Sequence, residues 1–236
     1  GAAVLAARAG YRSGAGYVYV LSPGHPEKII NENPEFLVSP VADFKDWNKV
    51  DAFVVGPGLG TGPLTVKLLE EVKATGKPAV IDADALTVLA SDSNWKVPEN
   101  WILTPHTGEF ARLSGLSVEE ISYDSFAALK KVQDQASVVL LKGYHPVVKI
   151  DDHFWIINSG NVALAKAGTG DVLSGLIGGF LAQGLLPESA VLLGGYLHGW
   201  TADHWVKEMG HPMSLISSDI EKHFPLALKA LVEGER

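Results

Sequence analysis

Short apolar runs alternate with helical segments along most of this 236-residue chain. The apolar runs predict buried strands at Tyr17–Leu21, Ala52–Val55, Pro78–Ile81, Trp101–Leu103 and Ser137–Leu141. The other segments predict helices at Pro63–Ala74, Asp84–Ala90, Thr107–Leu113, Val118–Gln133, Asp171–Gln183, Pro187–Lys207 and Ser218–Leu231. Strands that alternate with helices favour a mainly parallel sheet with helices on both faces. The sequence therefore predicts an α/β fold.

Two further runs, Val147–Ile150 and Phe154–Ile157, are separated by only a short polar sequence and predict a small hairpin. No repeat or linker divides the sequence, so we expect residues 1–236 to form a single domain. A helical pattern begins at the first residues without a preceding cap or strand. We therefore expect that a strand and a loop stood before Gly1.

Composition excludes several classes of partner. A formal net charge of −8 argues against nucleic acid and against an anionic membrane as the main partner. The most apolar windows, Val172–Leu186 and Ala190–Leu197, are shorter than the roughly 18 to 20 residues that a membrane span needs. The chain has no cysteine, which excludes disulfides and thiolate sites and suits a reducing, cytoplasmic location.

Polar or glycine-rich sequences follow four of the five predicted strands. In open parallel sheets, ligands bind beyond the carboxyl ends of the strands, so these sequences predict a single cleft. Each one alone is weak evidence, because glycine and aspartate are common in turns. The four sequences are Gly56–Gly60, Asp82–Leu86, Thr104–Glu109 and Lys142–His145.

The segment Asn158–Asp171 leads into a strongly apolar helix that begins near Asp171. Gly168 and Gly170 allow the backbone to approach a ligand closely, and the free amides at the start of a helix attract anions, above all phosphate. A carboxylate beside a bound phosphate is costly unless it has a task, such as accepting a proton from a hydroxyl. The alternative is that Asp171 only caps the helix.

Together these segments resemble the ribokinase-like superfamily, and more specifically the ADP- or ATP-dependent NAD(P)H-hydrate dehydratases. The resemblance rests on Gly56–Gly60, Asp82–Leu86, Thr104–Glu109, Leu141–Gly143 and Asn161–Gly175, and it extends from Gly1 to about residue 219. It implies a ribokinase-like three-layer fold. The first strand usual in the family is not present before Gly1.

The resemblance implies repair of hydrated NADH or NADPH, as the S epimer. ADP or ATP phosphorylates the ring hydroxyl, and phosphate is then eliminated to restore the reduced cofactor. Asp171 would act as the base, the Gly168–Gly170 amides would hold the phosphate oxygens, and Mg²⁺ would bridge the phosphates. The family often forms tetramers, and a glycine-rich helix face at Leu193–Trp200 is a candidate contact.

The resemblance also assigns candidate site residues. The predicted substrate-binding residues are Ala2, Gly58, Gly60, His106 and Asp171. The predicted nucleotide-binding residues are Lys142, Gly143, Tyr144, His145, Pro146, Asn161, Gly168, Thr169 and Gly170. The predicted metal-binding residues, in direct contact or through water, are Asp82, Asp84 and Glu109.

Several of these residues have a purely structural alternative. His106 can be satisfied within its own loop, Gly58 and Gly60 can serve a tight turn, and Lys142 can be structural. Asp82 or Asp84 can pair with a nearby amide, and Asp84 can also cap the helix that follows it. Glu109, in the first turn of a helix, can interact favourably with the helix dipole. The residues Tyr196, His198 and His204 indicate packing or subunit contact.

Two other functions remain open from the sequence. A ribokinase-like kinase for a thiazole or pyrimidine alcohol would use the same Gly168–Asp171 segment and stop at the phosphate ester. A nucleotide-binding protein without catalysis is the second alternative. His106 favours the dehydratase over the kinase, and Asp171 favours an enzyme over a binding protein.

Overall fold

Eight strands form two separate sheets in the computed structural model, which describes residues 1–24, 29 and 33–234. The strands are β1 (Tyr19–Ser22), β2 (Leu37–Pro40), β3 (Phe53–Val55), β4 (Ala79–Ile81), β5 (Trp101–Leu103), β6 (Val138–Leu141), β7 (Val147–Ile150) and β8 (His153–Ile156). The larger sheet has the order β3-β4-β5-β6-β7-β8, and β1 pairs in parallel with β2 in the smaller one. Strands β3 to β6 are parallel, and β7 and β8 complete the sheet as the predicted antiparallel hairpin.

Helices cover both faces of the larger sheet. They are α1 (Ala2–Arg12), α2 (Pro63–Thr75), α3 (Ala83–Leu89), α4 (Thr107–Ser114), α5 (Val118–Tyr123), α6 (Ser125–Lys130), α7 (Thr169–Ala182), α8 (Pro187–Met209) and α9 (Ser217–Glu233). The sheet order and the two helix layers confirm the predicted α/β class with a mainly parallel sheet.

The sheet has one apolar core on each face, because successive side chains of a strand point to opposite sides. In β5, Ile102 packs with α1, α7, α8 and α9, whereas Trp101 and Leu103 pack with the layer formed by α2 to α6. Since every side chain of β4, β5 and β6 is buried, these strands show the continuous apolar runs that a doubly covered parallel sheet requires.

Helix α7 lies in the centre of the first core and packs closely on α1. The close approach depends on glycine, because a Cβ on Gly175 would lie 2.1 Å from the carbonyl oxygen of Ala6. A Cβ on Gly179 would lie 2.7 Å from the carbonyl oxygen of Gly10. This packing fixes the start of α7 relative to α1.

Two predicted helices differ from the structure, and one strand was not predicted. The helix predicted at Val118–Gln133 is broken into α5 and α6, because Asp124 leaves the helical conformation and accepts a hydrogen bond from the Ala127 amide. Strand β2 was not predicted, since it is short and ends at Pro40. Helix α3 is capped by Asp82 rather than by Asp84, which lies inside its first turn.

The glycine-rich stretch of α8 does not present an outer face. A Cβ on Gly194 would meet Ile177 of α7 at 2.6 Å, and one on Gly199 would meet Ser159 at 2.4 Å. These glycines therefore pack within the chain, and the predicted contact surface at Leu193–Trp200 is wrong in this respect. His198 is buried on the same helix, which confirms the packing interpretation for that residue.

An apolar cavity of about 220 Å³ separates β1 from β3. Successive residues of both strands line it, together with small residues of α1 and α7. Among the described residues, β1 is paired only with β2 and β3 only with β4, so each strand has an edge without a strand partner.

In the part of the chain that the structure describes, no helix combines the length and apolar character needed to cross a bilayer.

Candidate functional site

The candidate site lies at the carboxyl ends of β3 to β6, next to the start of α7. A parallel bridge between His106 and Lys142 and a hydrogen bond from the Lys142 amide to the Pro105 carbonyl (2.8 Å) hold the loops after β5 and β6 together. The loops after β3 and β4 also meet, because a Cβ on Gly56 would lie 1.8 Å from the Asp82 carbonyl oxygen. The predicted convergence of polar loops at one sheet edge is confirmed.

The glycine turn before α7 is held in shape by buried groups behind it. Gly168 has φ +88°, a conformation that favours glycine. The Thr169 hydroxyl donates to the carbonyls of Leu164 (2.7 Å) and Lys166 (2.8 Å). His198 Nε2 lies 3.0 Å from the Thr169 carbonyl oxygen. A carbonyl can only accept, so the ring proton lies on Nε2.

Asp171 lies in the first turn of α7, half-buried. No hydrogen bond or ion pair involves its carboxylate within the described residues, so it does not cap the helix by a side-chain contact. Burial is the main cause that raises the pKa of Asp171, and the nearby Asp82 raises this pKa further, whereas Lys142 lowers it. A carboxylate with a raised pKa and no partner is suited to accept a proton.

Lys142 is surrounded by carboxylates. Its ammonium donates to Asp82 Oδ1 at 2.8 Å and lies 3.9 Å from Glu109 Oε2. The Lys142 side chain is 20% exposed, whereas that of Asp82 is only 2% exposed. The ammonium also lies at the glycine turn, because a Cβ on Gly170 would come within 3.2 Å of it. The structure thus brings Lys142 to the turn predicted to bind phosphate.

The predicted substrate side has two contacts of its own. A Cβ on Gly58 would lie 3.3 Å from the Ala2 Cβ, so these two residues are neighbours. The Gly60 amide donates to Asp84 Oδ2 at 2.8 Å. Asp84 therefore fixes the glycine loop after β3, which is the pairing with a nearby amide that the sequence offered as an alternative to metal binding.

His106 combines a structural role with an exposed nitrogen. Its Nδ1 accepts hydrogen bonds from the amides of Gly108 (3.0 Å) and Glu109 (3.3 Å), and the Glu109 carboxylate accepts from the His106 amide. This reciprocal cap begins α4. Since Nδ1 accepts, the proton of the neutral ring lies on Nε2, which is 3.4 Å from Glu109 Oε1. The structural alternative for His106 is present, and the side chain is also 57% exposed, so a ligand can reach it.

The remaining predicted nucleotide-binding residues lie in two places. Gly143, Tyr144 and His145 are exposed on the loop between β6 and β7, and Tyr144 and His145 pack edge to face with ring centroids 4.6 Å apart. Asn161 has a structural contact instead, because its Nδ2 donates to Asp203 Oδ1 of α8 at 2.7 Å. The Gly160 amide donates to the other oxygen of Asp203.

The predicted metal-binding carboxylates already have protein partners. Asp82 contacts Lys142, Asp84 contacts Gly60, and Glu109 contacts His106. Residues 1–24, 29 and 33–234 contain no group of three or more histidine, cysteine, aspartate or glutamate side chains able to hold a metal ion. Binding of a metal through these residues stays a prediction.

Sequence reasoning missed Ser174 and Asp203. Ser174 is fully buried in α7 and donates to Asp82 Oδ2 at 2.5 Å. A lone hydroxyl within an apolar helix was the available signal, but its partner lies 92 residues away. Asp203 is on the surface of a long helix and has no such signal.

A mainly parallel sheet, with a glycine turn and a carboxylate at the start of a buried helix, defines the class of ribokinase-like α/β proteins. Ribokinase from Arabidopsis thaliana shares the fold alone, with a TM-score of 0.58 at 15% identity over 95% of this chain and 86% of that chain. A more specific match comes from a family model described as NAD(P)H-hydrate dehydratase, which covers residues 1–225. The chain belongs to this family, and the resemblance predicted from the sequence is confirmed.

Individual relatives agree with the family. The chain is 37% identical to the ADP-dependent (S)-NAD(P)H-hydrate dehydratase of Neisseria meningitidis, over 93% of this chain and 78% of that protein. It is also 37% identical to the bifunctional NAD(P)H-hydrate repair enzyme of Coxiella burnetii, but it spans only 46% of that protein's length. The ADP/ATP-dependent NAD(P)H-hydrate dehydratase from Bacillus subtilis, co-crystallised with ATP/Mg²⁺ and soaked with CoA, has a TM-score of 0.84 at 31% identity, covering 97% of this chain and 86% of that one.

Proposed function

We propose that this protein uses ADP or ATP to dehydrate the S epimer of hydrated NADH or NADPH and so returns it to the reduced cofactor. The observation that carries the proposal is the carboxylate of Asp171, which lies in the first turn of α7 beside the glycine turn and has no side-chain partner in the part of the chain that the structure describes. Membership of the dehydratase family supplies the substrate class.

The proposed reaction has two steps. Asp171 takes the proton of the ring hydroxyl while the hydroxyl oxygen bonds to the terminal phosphorus of the nucleotide. The bond between that phosphorus and the bridging oxygen of the nucleotide breaks at the same time. The ring carbon–oxygen bond then breaks with loss of a proton from the neighbouring carbon, which releases phosphate and restores the double bond. Hydroxide is a poor leaving group and phosphate a good one, which is why the first step is needed.

The turn and Lys142 would bind the phosphoryl group. In this proposal the amides of Gly168–Gly170 and the Lys142 ammonium would stabilise the negative charge that collects during transfer. The exposed side chain of His106 would contact the hydrated cofactor. The neighbouring Ala2, Gly58 and Gly60 would form the wall of the cofactor site. Tyr144 and His145, both exposed, would contact the adenine nucleotide together with Gly143 and Pro146.

Magnesium is included in the proposal because the B. subtilis relative was co-crystallised with ATP/Mg²⁺. Carboxylate oxygens are the ligands that Mg²⁺ prefers, and those of Asp82 and Glu109 converge around Lys142. Because these carboxylates already have protein partners, the metal would be held through bound water, and Asp84 in the first turn of α3 would contribute in the same way. When bound, Mg²⁺ would offset the charge of the phosphates.

We further propose a homotetramer located in the cytoplasm. The family resemblance supports the tetramer, and the absence of cysteine suits a reducing compartment. Light scattering coupled to gel filtration would measure the mass, and a monomeric mass would contradict the tetramer.

The decisive experiment incubates the protein with hydrated NADH and ATP or ADP and follows the absorbance of the reduced nicotinamide ring. Recovery of this absorbance together with phosphate release is expected. A stable phosphorylated alcohol would instead indicate a small-molecule kinase, and nucleotide binding without turnover would indicate a binding protein.

Replacement of the proposed base tests the mechanism. We expect Asp171→Asn to lower kcat by about 10²- to 10⁴-fold, the usual contribution of a general base, while nucleotide still binds. Glu188→Gln removes a first-turn carboxylate from α8 and serves as the matched control with unchanged kcat. Full activity of Asp171→Asn would remove the basis of the mechanism.

A further inference from the structure

Asp82 joins three elements at the floor of the site. It follows β4 and caps α3, and its Oδ1 accepts from the Ala83 amide at 2.9 Å and from the Lys142 ammonium at 2.8 Å. Its Oδ2 accepts from the Ser174 hydroxyl at 2.5 Å. Because both oxygens have donors, the orientation of this buried carboxylate is fixed from two sides.

Ser174 links this carboxylate to the helix of the glycine turn. It lies one turn after Gly170 on α7, is completely buried, and its hydroxyl is also 3.0 Å from the Gly170 carbonyl oxygen. Hydrogen bonds to a charged acceptor are stronger than those between neutral groups, so the proton of the hydroxyl favours Asp82. Ser174 is thereby the only α7 side chain in the described part of the protein that donates to Asp82.

The ammonium of Lys142 is the group that this arrangement places. It lies 2.8 Å from Asp82 and 3.9 Å from Glu109. It is also close to the Gly170 Cα, because a Cβ on Gly170 would lie 3.2 Å from it. A lysine side chain has four rotatable bonds and a compact charge. Without a fixed acceptor, it would lose its position at the turn.

We propose that Ser174 is a positioning residue that acts through Asp82 to hold the Lys142 ammonium at the Gly168–Gly170 turn, where it binds the phosphate that is transferred. Ser174 itself touches neither nucleotide nor substrate. This inference rests on the proposed function for the identity of the reaction, but the placement of Lys142 can be measured by nucleotide binding alone.

A double-mutant cycle tests the inference. The variants are Ser174→Ala, Lys142→Met and the combination, with ATP affinity measured by calorimetry and kcat by cofactor recovery. In the wild-type background we expect Ser174→Ala to lower kcat about tenfold and ATP affinity about threefold. In the Lys142→Met background we expect the same substitution to change kcat and ATP affinity by no more than about twofold each. Ser13→Ala is the matched control, because Ser13 is a buried serine at the end of α1 whose hydroxyl donates only to backbone carbonyls.

Additive effects of the two substitutions, or equal losses for Ser174→Ala and Ser13→Ala, would overturn the inference. If Ser174→Ala does not fold, Asp82→Asn replaces it in the same cycle with the same expected coupling to Lys142. A wild-type protein that binds ATP but shows no cofactor recovery would contradict the proposed function, and the affinity cycle would still decide the role of Ser174.

Discussion

At the scale of single residues, Asp171 and Lys142 are opposite charges whose effects on each other can be measured. Burial and Asp82 raise the pKa of Asp171, and Lys142 opposes this rise. A base must be deprotonated to act, so kcat/KM should fall as the pH drops through this raised pKa. The acid limb of the profile is therefore expected above the usual range of an aspartate.

Removal of the lysine charge should move this limb. In Lys142→Met the opposing cation is gone, so the pKa of Asp171 rises further and the acid limb shifts to higher pH. The residual kcat/KM of the variant measured across pH checks the direction. Lys229→Met, at an exposed ion pair with Glu233, is the control. If the pH at which kcat/KM falls does not change in Lys142→Met, a group other than Asp171 controls this fall.

His198 gives a second residue-scale prediction, on stability. Burial lowers the pKa of His198 to about 4, below that of the unfolded chain. The unfolded chain thus binds the proton more readily, and the free energy of unfolding decreases as the pH falls from about 6.5 to 4, by about 3 kcal/mol at most.

Urea denaturation at neutral and acidic pH measures this decrease. His198→Gln keeps an N–H donor for the Thr169 carbonyl and should lose this part of the pH dependence. His153→Gln, at an exposed position, should retain it. Equal pH dependence in both variants would contradict the prediction.

At the scale of elements, the contact between α1 and α7 depends on the absence of side chains. Gly175→Ala would press a Cβ against the Ala6 carbonyl at 2.1 Å, and backbone cannot move away cheaply. We expect a loss of about 1 to 3 kcal/mol or more in the free energy of unfolding. Gly16→Ala, with no atom within 4 Å of its Cβ, is the control in thermal unfolding. Equal stability of the two variants would show that the helices can separate.

The elements also show what the sequence can and cannot predict. Strands β4 and β5 were predicted to within one residue because both faces of the sheet are covered, which leaves a continuous apolar run. The break at Asp124 was missed because the helical periodicity continues across it, whereas the Asp124 side chain caps a new helix there by accepting from the Ala127 amide. The glycine turn and Asp171 are contiguous and thus visible in the sequence, whereas the bond between Ser174 and Asp82 exists only after β4 and α7 have packed.

At the scale of the whole molecule, the two sheets are separated by the apolar cavity between β1 and β3. Both strands lack a partner at the facing edges among the described residues, and they border one cavity. The cavity is therefore a candidate place for a further strand, and this can be tested.

A short valine- and isoleucine-rich peptide added to the protein should pair with the edges of β1 and β3 that border the cavity, and it should raise Tm. A stabilisation of about 1 kcal/mol corresponds to roughly 2 to 4 °C in a protein of this size. The same peptide interrupted by proline is the control, because proline cannot donate the backbone hydrogen bond that a strand needs. An equal Tm with both peptides would mean that the cavity does not accept a strand.

The position of Asp82 at the junction of β4, α3, α7 and the Lys142 loop limits how this protein can diverge. Its carbonyl packs on Gly56, at the start of the loop proposed to contact the hydrated cofactor, while its carboxylate accepts from Lys142, the residue proposed to bind phosphate. A relative that adapts to a different alcohol by reshaping the first region would disturb the second. Substrate preference and phosphoryl-transfer efficiency should therefore change together across variants rather than independently.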